Sequence, residues 1–486
     1  MRRKIFIIII SVATVLKLNA QDIDIADQQI NFKTNKFYSL YMFAQGLVGS
    51  PAASPTIKMA FDQSEYAKNK DLIRAIKTIK NINTFYSYTF KGYPEYRNYN
   101  VQLWQLLKVA AANSADINEF KLGIAGMLPV NDINSIAESL INLQDLHEEL
   151  LWKPNEEALE TYIEELTREA SKGDFNKVFE KAINFYGTNW NNNFPMIVYV
   201  LPLPEVEKNI IEIASPDGNV LTYSVHIREG RDIAEDLGVV FHELDHILYK
   251  NQPVDLQNKL EKYSLNHQSP YKVIGYRVLD ESLATALGQG FYYQYITGKA
   301  DEGNWYDVPQ VNKVAKSIFP LVAEYLHKDR TIDSLFIDRY LEVYEEDFPE
   351  DLTDIQSNIS NVNILMSEAY SDRNKVFAPF FSHFAMRSIN DEKGVNHDNI
   401  SKWKSSLGTK VAILQKDGDE YARLKAKLDW LPDIDSSKEQ IITMLHKGVH
   451  YYILIISDYD SINDGLQIIH DKEKIKIELE VSELSH

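Results

Sequence analysis

Five residues leave this chain the least conformational freedom: His242-Glu243-Leu244-Asp245-His246. On a helix, two imidazoles four residues apart share one face and stand one turn apart. Leu237, Val240, Phe241, Leu244 and Leu248 fall at helical spacing around them and supply an apolar stripe for burial. Asp232 followed by Glu235 resembles a capping box, so the helix is expected to start after Asp232. Pro253 lies just beyond its end. Two stretches before it, Met196 to Leu201 and Val220 to Ile227, read as strands from their β-branched and alternating residues.

The chain has 486 residues and no cysteine. Disulfides and thiolate ligands are therefore excluded, and any metal must be held by His, Asp or Glu. The pattern H-E-x-x-H on a helix is one in which two histidines hold Zn²⁺ and the glutamate serves as general base. Glu243 projects from an adjacent face, close to the metal position without occupying it. A catalytic zinc site needs a third protein ligand and an open position. Glu281, in Asp280-Glu281-Ser282-Leu283-Ala284-Thr285-Ala286-Leu287-Gly288, is the first candidate. Ala284, Thr285 and Gly288 are its small helical neighbours, and small residues let a second helix come close. Asp301 is the second choice and Asp280 the third.

The set His242-Glu243-x-x-His246 plus a helix-borne Glu281 resembles the gluzincin branch of zinc metallopeptidases. The likeness covers roughly residues 195–295, and the gap from His246 to Glu281 is 35 residues, longer than in thermolysin-like members. In those members an Asn precedes the glutamate ligand and an Asp follows four residues on; here Asp280 and Thr285 stand in those places. The Gly-x-Met-Glu-Asn signature of gluzincin aminopeptidases is absent. Tyr249 and Gln252 occupy the positions where metzincins carry Gly and His. Thr297-Gly298-Lys299-Ala300-Asp301 is a scrambled form of the aspzincin Gly-Thr-x-x-Asp pattern. The resemblance implies a zincin-like catalytic domain holding one Zn²⁺ on His242, His246 and Glu281, with Glu243 as general base in peptide hydrolysis. It further implies that the strand before the helix, Val220 to Arg228, pairs with an extended substrate, with His226 a candidate to face the cleft. His383 and Tyr370 are candidates to stabilise an oxyanion, Tyr292 is expected to lie too far along its helix, and Thr285 to orient a ligand histidine. The alternative is an exported binding or scaffold protein that keeps the fold without catalysis. The intact Glu243 argues for the enzyme. A zinc site acting on a non-peptide amide or ester is a third reading.

The fold class expected is α+β, predominantly helical. Residues 1–20 read as a secretory signal peptide: Arg2, Arg3 and Lys4 precede the apolar run from Ile5 to Leu16, and Leu18-Asn19-Ala20 offers a cleavage site. An uncleaved anchor is the alternative for this segment. Residues 21–190 read as a helical region, with helices at Leu72 to Ile82, Val101 to Ala112, Ile133 to Leu151 and Asn155 to Ala170. Residues 191–408 hold the zincin-like part, helix-rich after Val273. Residues 409–486 form a small α/β region with strands at Tyr451 to Ser457 and Ile475 to Val481 around a helix at Ile462 to Ile469. Removing the leader's four positive charges takes the formal net charge from −19 to −23. That acidity disfavours nucleic acid and anionic membrane as partners. The expected partner is a peptide or protein substrate, met in the periplasm or outside a bacterial cell, with no stable membrane insertion after leader cleavage.

Overall fold

The computed structural model describes residues 30–484, apart from 85, 98–99, 192–194, 207–209, 473 and 475–477. The expected leader, residues 1–20, lies outside the described residues. The protein is α+β and mainly helical. No described helix is long and apolar enough to cross a membrane.

The strands before the motif helix are β1 (Ile30–Lys33), a separate short pair β2 (Ser87–Thr89) and β3 (Asn100–Gln102), then β4 (Met196–Pro202), β5 (Ile213–Asp217) and β6 (Val220–Val225). Four of them form one sheet in the order β1-β4-β6-β5. The first three run parallel, and β5 is antiparallel at the edge. β4 reads Met-Ile-Val-Tyr-Val-Leu-Pro and is buried almost throughout, as a parallel strand covered on both faces must be. Its two faces serve different cores. Met196, Val198 and Val200 pack with the motif helix and its neighbours. Tyr199 and Leu201 pack with helices from residues 37–151. The sheet is thus the middle of three layers. The expected helices appear at Lys70–Lys80, Leu103–Ala112, Val130–His147 and Lys153–Lys172. β1 brings the start of the described chain into the same sheet as β4, across the boundary expected near residue 190.

β5 was not expected as a strand. It reads Ile-Ala-Ser-Pro-Asp, and Pro216 is tolerated because an edge strand needs donors on one side only. It is tied down from the outer helical layer. Lys108, buried, donates to Asp217 at 2.7 Å and to the Ser215 Oγ at 3.0 Å, and Gln105 donates to the other Asp217 oxygen at 2.6 Å.

The second sheet comprises β7 (Asn361–Met366), β8 (Ser388–Lys393), β9 (Thr409–Gln415), β10 (Gln440–His446), β11 (Val449–Ile456) and β12 (Glu480–Glu483), in the order β12-β10-β11-β9-β7-β8. Alternate residues of β9 and β11 fill opposite faces: Val411, Ile413, Tyr452 and Leu454 on one, Ala412, Leu414, Tyr451 and Ile453 on the other. Helices Arg373–His383 and Asp460–Asp471 pack together. β7 and β8 lie within the stretch read as helix-rich, so the α/β part starts some fifty residues before the expected residue 409. In the last expected strand, residues 475–477 lie outside the described residues, and β12 occupies 480–483.

Two buried histidines far from the motif couple this fold to pH. His147 shares a hydrogen bond of 2.9 Å with Ser39 Oγ, and burial lowers its pKa to about 3. His450 Nε2 donates to the Leu352 carbonyl at 2.7 Å, and burial lowers it to about 4. Both are neutral when folded. Below an unfolded value of about 6.5 the unfolded chain takes up protons that the folded chain refuses, so stability falls with pH. Each site contributes a slope of up to ~1.4 kcal/mol per pH unit between about 6.5 and its folded value. Urea unfolding at pH 7 and pH 5 is expected to show this loss. The double variant His147→Asn, His450→Gln should lose less stability over that interval; an unchanged difference would rule out these two histidines as its source.

Candidate metal centre

The motif helix spans Ile233–Lys250, with Asp232 Oδ1 accepting from the backbone N–H groups of Ala234 and Glu235 at 2.9 and 3.3 Å. One turn in, buried Asp236 is held by Tyr162 (2.8 Å), Tyr223 (2.6 Å) and Arg231 Nε (2.9 Å). The apolar stripe expected from the sequence is buried: Leu237, Val240, Phe241, Leu244 and Leu248 are all in the core.

The ligand helix spans Lys272–Thr285 and continues as a wider π-helical turn, Ala286–Tyr292. Such turns cluster at functional sites. Gly288 on it touches the motif helix. A Cβ added there would lie 2.4 Å from the Gly238 carbonyl oxygen and 2.8 Å from the His242 backbone nitrogen. This contact explains the small-residue stripe read from the sequence.

The close approach brings His242, His246 and Glu281 together, and this set can hold a metal ion. The two Nε2 atoms are 3.1 Å apart. Glu281 Oε2 lies 3.6 Å from His242 Nε2 and 3.5 Å from His246 Nε2. Those two separations are long for hydrogen bonds. They match the roughly 3.3 Å edge of a tetrahedral centre whose ligands stand ~2.0–2.1 Å from the ion. Glu281 Oε2 is buried and has no hydrogen-bond partner among the described residues. A cation between the three atoms would satisfy it, so the donor set fits a metal.

Each histidine has a partner at its other nitrogen. His246 Nδ1 is 3.0 Å from Asp280 Oδ1, and His242 Nδ1 is 3.4 Å from Thr285 Oγ1. A carboxylate accepts the Nδ1 proton and leaves Nε2 of His246 free to bind metal. Asp280, the third choice as ligand, thus lies against His246 and outside the ligand set, and Thr285 lies against His242 as expected. Burial works against a charged His246, but Asp280 and Glu281 outweigh it and raise its pKa well above the ordinary value. Burial also raises Glu281, yet His242 and His246 outweigh that and hold it far below the carboxylate range. For Glu243, beside them on the motif helix, burial dominates and raises the pKa.

Two further side chains reach the site, and neither was legible in the sequence. The Tyr306 ring lies over His242, with centroids 5.6 Å apart and planes 20° from parallel. Burial and then the neighbouring Glu281 charge raise its hydroxyl pKa, so it stays protonated. Arg387 Nη2, from the segment leading into β8, is 3.3 Å from Glu281 Oε1. Tyr306 sits in an irregular loop, and Arg387 is remote in sequence; no local pattern marks either.

The other candidates lie elsewhere. Asp301 caps a loop, accepting from Gly303 N at 2.8 Å. Tyr370 donates to the Ile456 carbonyl and His383 pairs with Asn463, both within the second α/β part. Tyr292 stacks on Phe241 in the core. The substrate-strand expectation also changes. β6 ends at Val225 and is paired on both sides, by β4 and β5, so it has no free edge. His226 lies just past it. The sheet's two edge strands are β1 and β5, and β5 is the one beside β6.

Comparison of the chain with known protein families, with curated proteins and with solved structures finds no match.

Glu281→Ala is expected to abolish stoichiometric metal binding, and Asp280→Asn to weaken it by about 10- to 100-fold, both read by metal analysis after dialysis. Asp301→Ala should bind as the parent does. Loss of metal in Asp301→Ala, with Glu281→Ala unaffected, would transfer the third position to Asp301.

Proposed function

We propose that this chain is a zinc-dependent hydrolase and, among hydrolases, a peptidase. The observation that carries the reading is Glu243: a carboxylate, made more basic by burial, set beside three converging metal-binding atoms. Two imidazoles and one carboxylate suit Zn²⁺, and three protein ligands leave a coordination position open, as catalytic zinc sites do. When bound, zinc would supply Lewis acidity, polarising a carbonyl and lowering the pKa of water from ~15.7 toward ~7.

The chain's own residues then have distinct tasks. Glu243 takes the proton of the attacking water and passes it to the leaving nitrogen; general acid–base help of this kind contributes ~10²–10⁴-fold. Tyr306, protonated and lying over His242, donates to the oxygen that gains negative charge. Asp280 and Thr285 hold the two imidazoles in place. The free edge of β5 offers backbone donors and acceptors to an extended chain, which favours a peptide over a smaller amide or ester. A protein that only binds metal, or only displays this fold, has no use for the Glu243 carboxylate at that position. The apolar, basic-led N-terminus supports export, and the net charge of −19 supports a partner other than nucleic acid.

Glu243→Gln is expected to keep its zinc and to lose hydrolysis of an unfolded protein substrate by about 10²-fold or more. Tyr306→Phe should lower kcat by about 10²–10³-fold, with KM little changed. Equal activity in Glu243→Gln and the parent would overturn the proposal.

A further inference from the structure

Between the ligand helix and the second sheet lies a cavity of about 470 Å³, within the ~300–1,000 Å³ range of ligand pockets. Its wall carries five basic side chains, Arg97, Lys250, Arg277, Arg387 and Lys402, against three acidic ones, Glu95, Asp280 and Glu392. This concentration stands out in a chain of net charge −19. The acids are partly committed. Asp280 holds His246 Nδ1, and Glu392 faces Lys402 at 3.9 Å.

Two of the guanidinium groups have only neutral partners. Arg277 donates to the Asn361 and Asn358 carbonyls at 3.1 and 3.4 Å and to Thr409 Oγ1 at 3.2 Å. Its Nε is buried with no partner among the described residues. Burial and then the Arg387 charge lower its pKa to about 10. Arg97 donates to Gln252 Oε1 at 2.7 Å and to the Tyr249 carbonyl at 3.3 Å, and its buried Nη2 likewise has no described partner. Arg277 is electrostatically incomplete, because a buried charge is stable only when paired; at Arg97 burial is outweighed by Tyr249, Tyr276 and Asp280, and its pKa rises. Guanidinium groups pair best with a planar oxyanion taken bidentately. The cavity also adjoins the metal-binding residues: Asp280 and Arg387, both in its wall, reach His246 at 3.0 Å and Glu281 at 3.3 Å.

We propose that this cavity binds a carboxylate of the substrate. The inference rests on the peptidase reading and narrows it to peptides with an anionic group near the scissile bond. A chain-terminal carboxylate and the side chain of an Asp or Glu are the two sources a peptide offers. Either source presents the same chemistry to Arg97 and Arg277.

The test is binding to full-length, zinc-loaded Glu243→Gln, followed by fluorescence anisotropy. Three labelled six-residue peptides are used: one sequence ending in a neutral residue as the free C-terminal acid and as the C-terminal amide, and the same amide with its last residue replaced by Glu. The free acid, the Glu amide or both should bind about 10- to 100-fold more tightly than the plain amide, the range for a charge-assisted contact. The tighter of the two identifies the source. Adding Arg277→Gln or Lys250→Gln should shrink that gap. Lys250 lies on the exposed rim, so its variant carries the test should Arg277→Gln fail to fold. Equal affinities, no binding of any peptide, or a preference untouched by both substitutions would overturn the proposal. The parent protein with the same peptides separates the two claims. A carboxylate preference in binding with no cleavage sinks the peptidase reading and keeps the anion site. Cleavage of acid and amides with equal KM does the reverse.

Discussion

Everything at the candidate centre depends on two helix backbones touching. His242 and His246 ride on one helix and Glu281 on another, yet their ligand atoms converge to 3.1–3.6 Å. No side chain of ordinary size fits at the crossing. Gly288 meets the Gly238 carbonyl and the His242 backbone there, and a Cβ on Gly238 would meet Gln289 Oε1 at 2.5 Å. Each helix therefore contributes a glycine to the crossing. Glu281, Thr285 and Gly288 lie at i, i+4 and i+7 on one face, so the residue that permits contact also fixes which others face the histidines.

The layers around that crossing converge on it. Helices from residues 159–186 share one core with the sheet, the motif helix and the ligand helix, so they are part of the same folded body. The outermost helical layer pins the edge strand through the buried Lys108–Asp217 pair. Breaking such a pair from one side leaves an uncompensated buried charge, which commits that layer to the position of β5. The second α/β part reaches the other side of the site through Arg387 and closes the basic cavity with it. One small constellation thus draws on four stretches of chain that are distant in sequence.

What was readable in the sequence was what local periodicity encodes. The motif helix, its Asp232 cap, its buried stripe, the small face beyond Glu281 and the position of Thr285 beside His242 all follow from spacing of three, four and seven. Asp280 shows the limit of that reading. It is as good a ligand chemically as Glu281, and about 100° of helical rotation sets one at the metal position and the other against His246 Nδ1. β5 and β8 escaped because edge strands need neither an apolar run nor a full set of donors: one contains Pro216, the other reads Ser-Ile-Asn-Asp-Glu-Lys. Tyr306 and Arg387 meet the site, and Lys108 meets β5, through tertiary contacts alone, and such contacts leave no mark on neighbouring residues.

Two glutamates in one site are driven in opposite directions, and the difference is consistent with the tasks proposed for them. Glu243 has burial as its largest influence, and its pKa rises. Glu281 feels the same burial, but two imidazoles overrule it and its pKa falls; Arg387 at 3.3 Å adds a further cation. A carboxylate of lowered pKa stays ionised and suits a permanent ligand. One of raised pKa is a better base and holds a proton long enough to hand it on. Paired titratable groups pushed apart by their surroundings are how acid and base work is divided in a single cavity. Exchanging the two environments would leave a weak base beside the metal position and a ligand prone to protonation, so the division depends on placement, since both residues are glutamates.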